Sequence, residues 1–351
     1  MTAAANPGAA RLRVLGPPTR ALEDWRFVDC SVIEKLPGNA DGSPLEAAAD
    51  ALGEQSIVIS DGAFRIGSGF TSIPVVWPEA SAETDHQRLW AMGGGSAAIR
   101  LSREVGKVQL RTNSSSAGSS GWRLHLDLVA GAAVELRIDH HHVPGVWASG
   151  WLDLRLGRGA QLRVIERHHD ASAVSLITVG SHLAQDAKLT WTGHSTGGTL
   201  LRQRFEVVLA EPGAELDLAL IDVVGSGQAH RVSRITHAAR DTCSRQLIKA
   251  IADGHSAVSC DALITIRPGA DGSDAELQNR TLVLSPTARA DTRPQLDIHA
   301  DEVKAAHGAT IGQLAGDELL YLRSRGLDVV AARSLLAQAF ISEVTSRMGQ
   351  P

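Results

Sequence analysis

Histidine is the residue type with the most chemistry to offer in this chain of 351 residues. His140-His141-His142, His168-His169 and His194 fall in the middle of the chain, and His307 stands apart near its carboxyl end. Imidazole is the commonest side-chain metal ligand, so rows of it raise the question of metal binding. The three cysteines, Cys30, Cys243 and Cys260, show no CxxC spacing and give neither a disulfide framework nor a self-contained zinc or iron-sulfur site. Cys243 and Cys260 lie in strand-like segments, where an inert core thiol is the ordinary outcome. The chain carries no nucleophile elbow, Walker A loop or dinucleotide fingerprint. Gly93-Gly94-Gly95 lacks the Lys-Ser/Thr that phosphate cradling requires, so any ATP used is hydrolysed by a partner.

Which histidines share a face depends on the elements that carry them, and a repeat bears on that. The motif Ala-x-[Leu/Val]-x-[Leu/Val/Trp] occurs at Ala132, Ala160, Ala187 and Ala214, at intervals of 28, 27 and 27 residues, with Gly or Asp ahead of the alanine. So regular a period signals a solenoid, in which no coil buries its apolar face alone. Alternating strands with glycine corners make the solenoid a parallel β-helix. About seven turns at a strand spacing of roughly 4.8 Å give a rod of roughly 35 Å. His140 and His168 each lie four residues after the last apolar position of the motif, and His194 lies three after. The expectation is a stacked row of imidazoles, either a metal site or a solvent-facing polar ladder, with no carboxylate or cysteine fixed beside it by spacing.

Three regions follow. Residues 1–96 are a mixed, partly helical amino-terminal region: a small polar arm, a short amphipathic turn around Leu22, Trp25 and Arg26, an Ala-rich segment at 45–52, and a strand with an Asp-Gly turn at 57–64. Trp25 reads as a packing residue. Residues 97–313 are the β-helix, whose raw amino end the first region is expected to cap. Residues 314–351 form two helices. The first runs from Asp317 to a C-cap at Gly326. The second is N-capped by Asp328 and presents Ala332, Leu335, Leu336, Ala339, Phe340 and Val344 as one stripe. Between rod and helices the apolar period changes, and His307-Gly308-Ala309-Thr310 is expected at that strand-to-helix junction.

The order Pro294, Leu296, Ile298, Asp301 to Val303, His307-Gly308-Ala309-Thr310, Gly312, Tyr321-Leu322 and Arg325-Gly326, ahead of an Ala-rich amphipathic helix, resembles the carboxyl-terminal signature of the SufB/SufD proteins of iron-sulfur cluster assembly. The similarity runs from about Thr236 to Val344, with a weaker echo at Arg20 to Asp29. It is closer to the SufD branch. Gly308 follows the histidine where SufB typically has Glu, and Asn279 stands where a SufB-type cysteine is expected. Family members often have a cysteine two residues before the histidine; here Ala305 occupies that place.

The resemblance implies a right-handed parallel β-helix acting as a non-catalytic scaffold. It implies a SufB-like partner joined at the carboxyl ends of the rods and a SufC-like ABC ATPase docked on the carboxyl-terminal helices. Leu319, Leu320, Tyr321, Arg323, Arg325 and Phe340 are the residues expected to meet the ATPase. His307, with Gly308 and Thr310 beside it, is expected to take part in forming a transient iron-sulfur cluster, as a metal ligand shared with the partner; the other reading is a structural histidine bonding the helix start. One imidazole cannot hold a cluster, so this chain alone binds no cofactor stably. A homodimer through the same edge is physically as reasonable.

Two other functions compete. A SufB-like cluster scaffold is disfavoured by Asn279 and Gly308. A β-helix carbohydrate-active enzyme needs paired carboxylates along a cleft and aromatic platforms, and aromatics are only 4% with a single tyrosine. A net charge of -5 provides no basic field for nucleic acid or an anionic membrane. No apolar run reaches signal-peptide or membrane-span character, so a cytoplasmic location is expected.

Overall fold

In a computed structural model the chain is a rod of stacked coils with two helices at its carboxyl end. The structure describes residues 15, 18–34, 55–74, 91, 94–114, 118–169 and 173–349. Most of the amino-terminal arm, the 45–52 segment, Trp77, Pro78, Trp90 and Gly93 lie outside them.

A hairpin of β1 (Ser56–Ser60) and β2 (Ala63–Ile66) comes first, then β3 (Thr71–Ser72). Each coil then supplies two strands: β4 (Gly95–Leu101) and β5 (Lys107–Ser114), β6 (Gly118–Leu128) and β7 (Ala133–His142), β8 (Val146–Leu156) and β9 (Gln161–His168). The series goes on with β10 (Val174–Leu183) and β11 (Lys188–Ser195), β12 (Gly198–Leu209) and β13 (Glu215–Val224), β14 (Gly227–His237) and β15 (Cys243–Ala252). It ends with β16 (Ala257–Ile266) and β17 (Asp274–Val283), then β18 (Arg289–Ile298) and β19 (Lys304–Gly312). Strand β1 and the odd strands from β5 form one parallel sheet, and the even strands from β4 form the other. About eight turns result, one more than the repeat alone suggests.

The repeat has a local cause. Ahead of each motif alanine the chain turns through a left-handed residue: Gly131, Gly159, Asp186 and Gly213 all have positive φ, and Asp241 and Gly272 repeat the corner in later coils. Glycine takes that conformation without steric cost and aspartate tolerates it. The alanine that follows is buried, and its carbonyl accepts from the strand start one coil on. Gln161 N–H reaches Ala132 at 2.7 Å, Lys188 reaches Ala160 at 2.8 Å, and Glu215 reaches Ala187 at 2.8 Å. Thr242 and Ser273 take the alanine's place afterwards, so the motif fades while the coil persists; their hydroxyls bond each other at 2.9 Å.

Between the sheets, inward residues at every second position form one apolar core from Ile57 to Leu277. Each fully buried Leu or Ile contributes about 1.5–3 kcal/mol. Gly150 is part of this packing: a Cβ there would lie 2.2 Å from Trp122 Cζ2 of the preceding coil.

The described residues of the amino-terminal region divide between the rod's amino end and its side. Strands β2 and β3 add antiparallel to β1 and β4 at the amino end, while residues 18–34 lie along the outer face of the even sheet. Trp25 is buried there with Trp147, Leu176 and Leu200, under the Arg202 guanidinium 4.2 Å from its ring. Asp24 pairs with Arg204 and Arg234, so the segment is a side clasp held by charge as well as apolar contact.

Helix α1 (Gly316–Ser324) stops ahead of Gly326, whose φ is +96°, and α2 (Val329–Thr345) is capped by Asp328, which accepts from Ala331 N–H at 2.8 Å. The α2 stripe is only partly realised. Val344, Phe340 and Ile341 pack on Ala219, Ile221 and Leu247 of the odd sheet, but Leu335 and Ala339 face solvent. No helix among the described residues is long and apolar enough to cross a membrane.

Candidate functional site

Register fixes which way each side chain of the last coil faces. His307 pairs with Leu277, an interior residue, so it stands in the inward row with Ala305, Ala309 and Ile311. No further coil lies beyond β19 in this chain, and that row is therefore exposed at the rod's end. His307, Gly308 and Thr310 line an open recess of ≈ 340 Å³ with Glu276, Gln278 and Arg280. These residues are mid-strand. The expected junction is displaced because pairing with β17 continues to Gly312, and the helix begins only at Gly316.

Backbone parity determines what the edge offers. Lys304 N–H donates back to Ser273 at 2.9 Å, so along β19 the even amides face the rod and those of Ala305, His307, Ala309 and Ile311 face outward. On β18, Arg289 and His299 donate back to Ser256 and Ile266, which leaves the even positions outward. Pro294 falls in that outward set and has no N–H to give. Proline within a strand is confined to such an edge.

Asn279 is buried and donates Nδ2 to the Ile248 carbonyl at 2.9 Å, a structural bond. Strands β17 to β19 contain no cysteine. Cys260 is enclosed in the core, where burial pushes its thiol up to about 12, and burial also raises Cys243. Neither is a ready thiolate.

The histidine row is corrected by the register. His140 pairs with His168, and their rings stack with centroids 4.2 Å apart, but His168 pairs with Ser195, so His194 lies on the opposite face. His140 and His168 face the rod's interior, and no solvent-facing ladder exists there. A carboxylate does stand between them. Glu166 Oε1 is 3.1 Å from both Nε2 atoms, while Trp191 Nε1 donates to Oε2 at 2.9 Å and Gln203 Nε2 reaches both oxygens at 2.8 and 2.9 Å. Burial alone would raise the Glu166 pKa; the charge of His168 and hydrogen bonds from both histidines hold it well below the usual carboxylate range. Gln203 accepts in turn from Arg231, which donates twice to Asp222 at 2.8 and 2.5 Å; Ser195 Oγ also donates to Asp222. Burial opposes ionisation of Asp222, and Arg231 overcomes it and lowers the pKa. Glu166 precedes His168 by two residues on one strand, a period-2 signal that was available in the sequence.

The residues expected to meet an ATPase divide. Leu320 and Tyr321 are 66% and 58% exposed, Arg323 and Arg325 are exposed, and Leu319 is half-buried. Arg325 stacks over the Tyr321 ring at 5.2 Å. Phe340 instead lies against its own rod, with Lys249 Nζ 3.8 Å from its ring centroid and Glu343 at 2.6 Å from the same ammonium.

Comparison with known proteins agrees with this architecture. Residues 111–340 match the family model for the SUF system FeS cluster assembly SufBD core domain. The iron-sulfur cluster assembly protein SufD of Escherichia coli is 25% identical over 95% of this chain and 86% of its own length. SufBD family proteins of Synechocystis sp. and Mycobacterium leprae are each 30% identical, over 56% and 67% of this chain. Those alignments span about half of the relatives themselves, 44% and 56%. The match covers about two-thirds of the chain and takes in most of the coiled rod, so the chain belongs to the SufBD family of SUF-system iron-sulfur cluster assembly proteins.

Proposed function

We propose that this chain is a SufD-type, non-catalytic scaffold subunit that joins a SufB-like rod through the β18–β19 edge and docks a SufC-like ABC ATPase through α1 and α2. The observation that carries this reading is the outward-facing edge itself: a row of unpaired strand positions with His307 at its centre. Such an edge is a template for another strand, and proteins that leave one exposed ordinarily have a use for it. A nascent iron-sulfur cluster is the cargo at that seam. His307 supplies one ligand, and the thiolates come from the partner, because the last three strands contain no cysteine.

Leu320 and Tyr321 form an apolar patch rimmed by Arg323 and Arg325, which suits a partner helix or groove. ATP-driven closure of the ATPase pulls on these helices and shifts the joined rods. Phe340 acts from beneath, by fixing α2 to the odd sheet.

Co-expression with SufB-like and SufC-like subunits tests both contacts in the full chain. Ala309→Pro removes one outward amide while leaving the ladder to β17 intact, and loss of the SufB-like subunit is expected. Leu320→Glu with Tyr321→Glu is expected to lose the ATPase and keep the other partner. Retention of each partner by its variant would sink the corresponding half of the reading, and self-association through the edge would replace it with a homodimer. His307→Ala is expected to assemble normally and to lose cluster formation.

A further inference from the structure

One polar cluster on the outer face of the odd sheet has no part in the seam, the clasp or the helices. Asp139 and His141 come from β7, and His169 directly follows β9; their ligand atoms all lie within 4.8 Å of one another. The register is the cause. Because His140 pairs with His168, the next residues, His141 and His169, project outward side by side, with ring centroids 4.8 Å apart and planes 13° from parallel. Asp139 shares their face by the two-residue period of the strand. Gln109 on β5 donates Nε2 to Asp139 Oδ2 at 2.7 Å, and His169 N–H donates to the His140 carbonyl at 3.1 Å. The carboxylate and the strand end are thus held in place before any ion arrives, which is how supporting hydrogen bonds orient metal ligands.

The geometry points to a surface site for a divalent late first-row transition cation, with Asp139, His141 and His169 as ligands and water in the open position. Two imidazoles and one carboxylate suit Zn(II) and its neighbours, whereas Mg(II) and Ca(II) prefer all-oxygen shells. Affinity at such a donor set rises from Fe(II) through Co(II) and Ni(II), so the site discriminates against iron. Arg111 and Arg167 flank Asp139 in the register and repel a dication. The bound ion is therefore held more weakly than in a closed structural zinc site, and it exchanges.

The test is Zn(II) titration of the full chain in competition with a chromophoric chelator, with Co(II) absorption reporting the ligand field. The expected result is one saturable equivalent per chain. His141→Ala and His169→Ala should each weaken binding at least about tenfold. Both side chains are exposed, so circular dichroism and melting temperature should stay unchanged. His299→Ala removes an exposed histidine elsewhere and should leave the titration as it was. Unaltered affinity in either cluster variant, weakening by His299→Ala, or absence of saturable binding in the parent chain overturns the proposal. So does a loss that appears only with His140→Ala or His168→Ala, which would move the ion to the buried Glu166 group.

Discussion

Arg231 and Asp222 face each other inside the rod, both fully buried and away from solvent. Their mutual attraction in a low-dielectric interior offsets a large desolvation penalty only while both are present. Arg231→Ala should cost about 3–5 kcal/mol, because it leaves the Asp222 carboxylate buried and deprives Gln203 of its donor. Urea unfolding measures this, and exchanging both residues for apolar ones of similar volume should recover most of it. His237 shows a different dependence, on pH. It bonds Thr242 at 2.7 Å and Ser244 at 2.8 Å as a neutral ring, and burial lowers its pKa to about 4. The unfolded chain binds the proton first, near pH 6.5. Its contribution is therefore complete above that value and is lost as pH falls toward 4, by up to about 3 kcal/mol. His237→Gln should make the fall in melting temperature between pH 6.5 and 4 shallower than in the parent; an equal slope would show that other groups set it.

Coils are the elements here, and each one's fit is settled by its neighbours. Gly150 leaves room for the Trp122 ring above it, so Gly150→Ala forces a rigid aromatic off its rotamer at a cost of about 1–3 kcal/mol. Equilibrium unfolding checks the magnitude, and a neutral result would mean that the ring has slack. The same dependence on neighbours decides what could be read from the chain itself. The corner signal, glycine or aspartate before a small residue, was legible because it is local, and it led to stacked coils. The N-cap at Asp328 needed no distant partner either, since its carboxylate reaches an amide of its own helix. Facing directions were harder. His140 and His168 do share a face, but His194 does not join them and the solvent-facing alternative fails, because alternation states which residues share a face and only the completed coil states which face is inside. The Arg231–Asp222–Gln203 group was hidden for a related reason: its members come from β14, β13 and β12, and no spacing rule joins them.

At the scale of the whole molecule, stability is close to a sum over adjacent coils, since each touches only the ones above and below. Amide exchange should then be slowest in the middle, around β8 to β15, and fastest in β18 and β19, which have a neighbour on one side only. Uniform protection along the rod would mean that the side clasp of residues 18–34 ties distant coils into one unit. That clasp spans a long way: Glu23 bonds Arg293 on β18 at 2.5 Å, while Trp25 packs with Trp147 on β8. The amino-terminal segment therefore touches the coil that carries the edge, although it lies outside the repeat that made the fold legible.

Pro294 has a mechanical corollary. A second rod laid against this one is denied a hydrogen bond at that position, and the strands on either side of the gap are held only by what lies above and below it. Were the proposed partner rod joined here and torque applied through helices fixed to one flank, the even-sheet side of the join would open before the odd-sheet side that holds the imidazole, as a laminate parts where its stitching is missing.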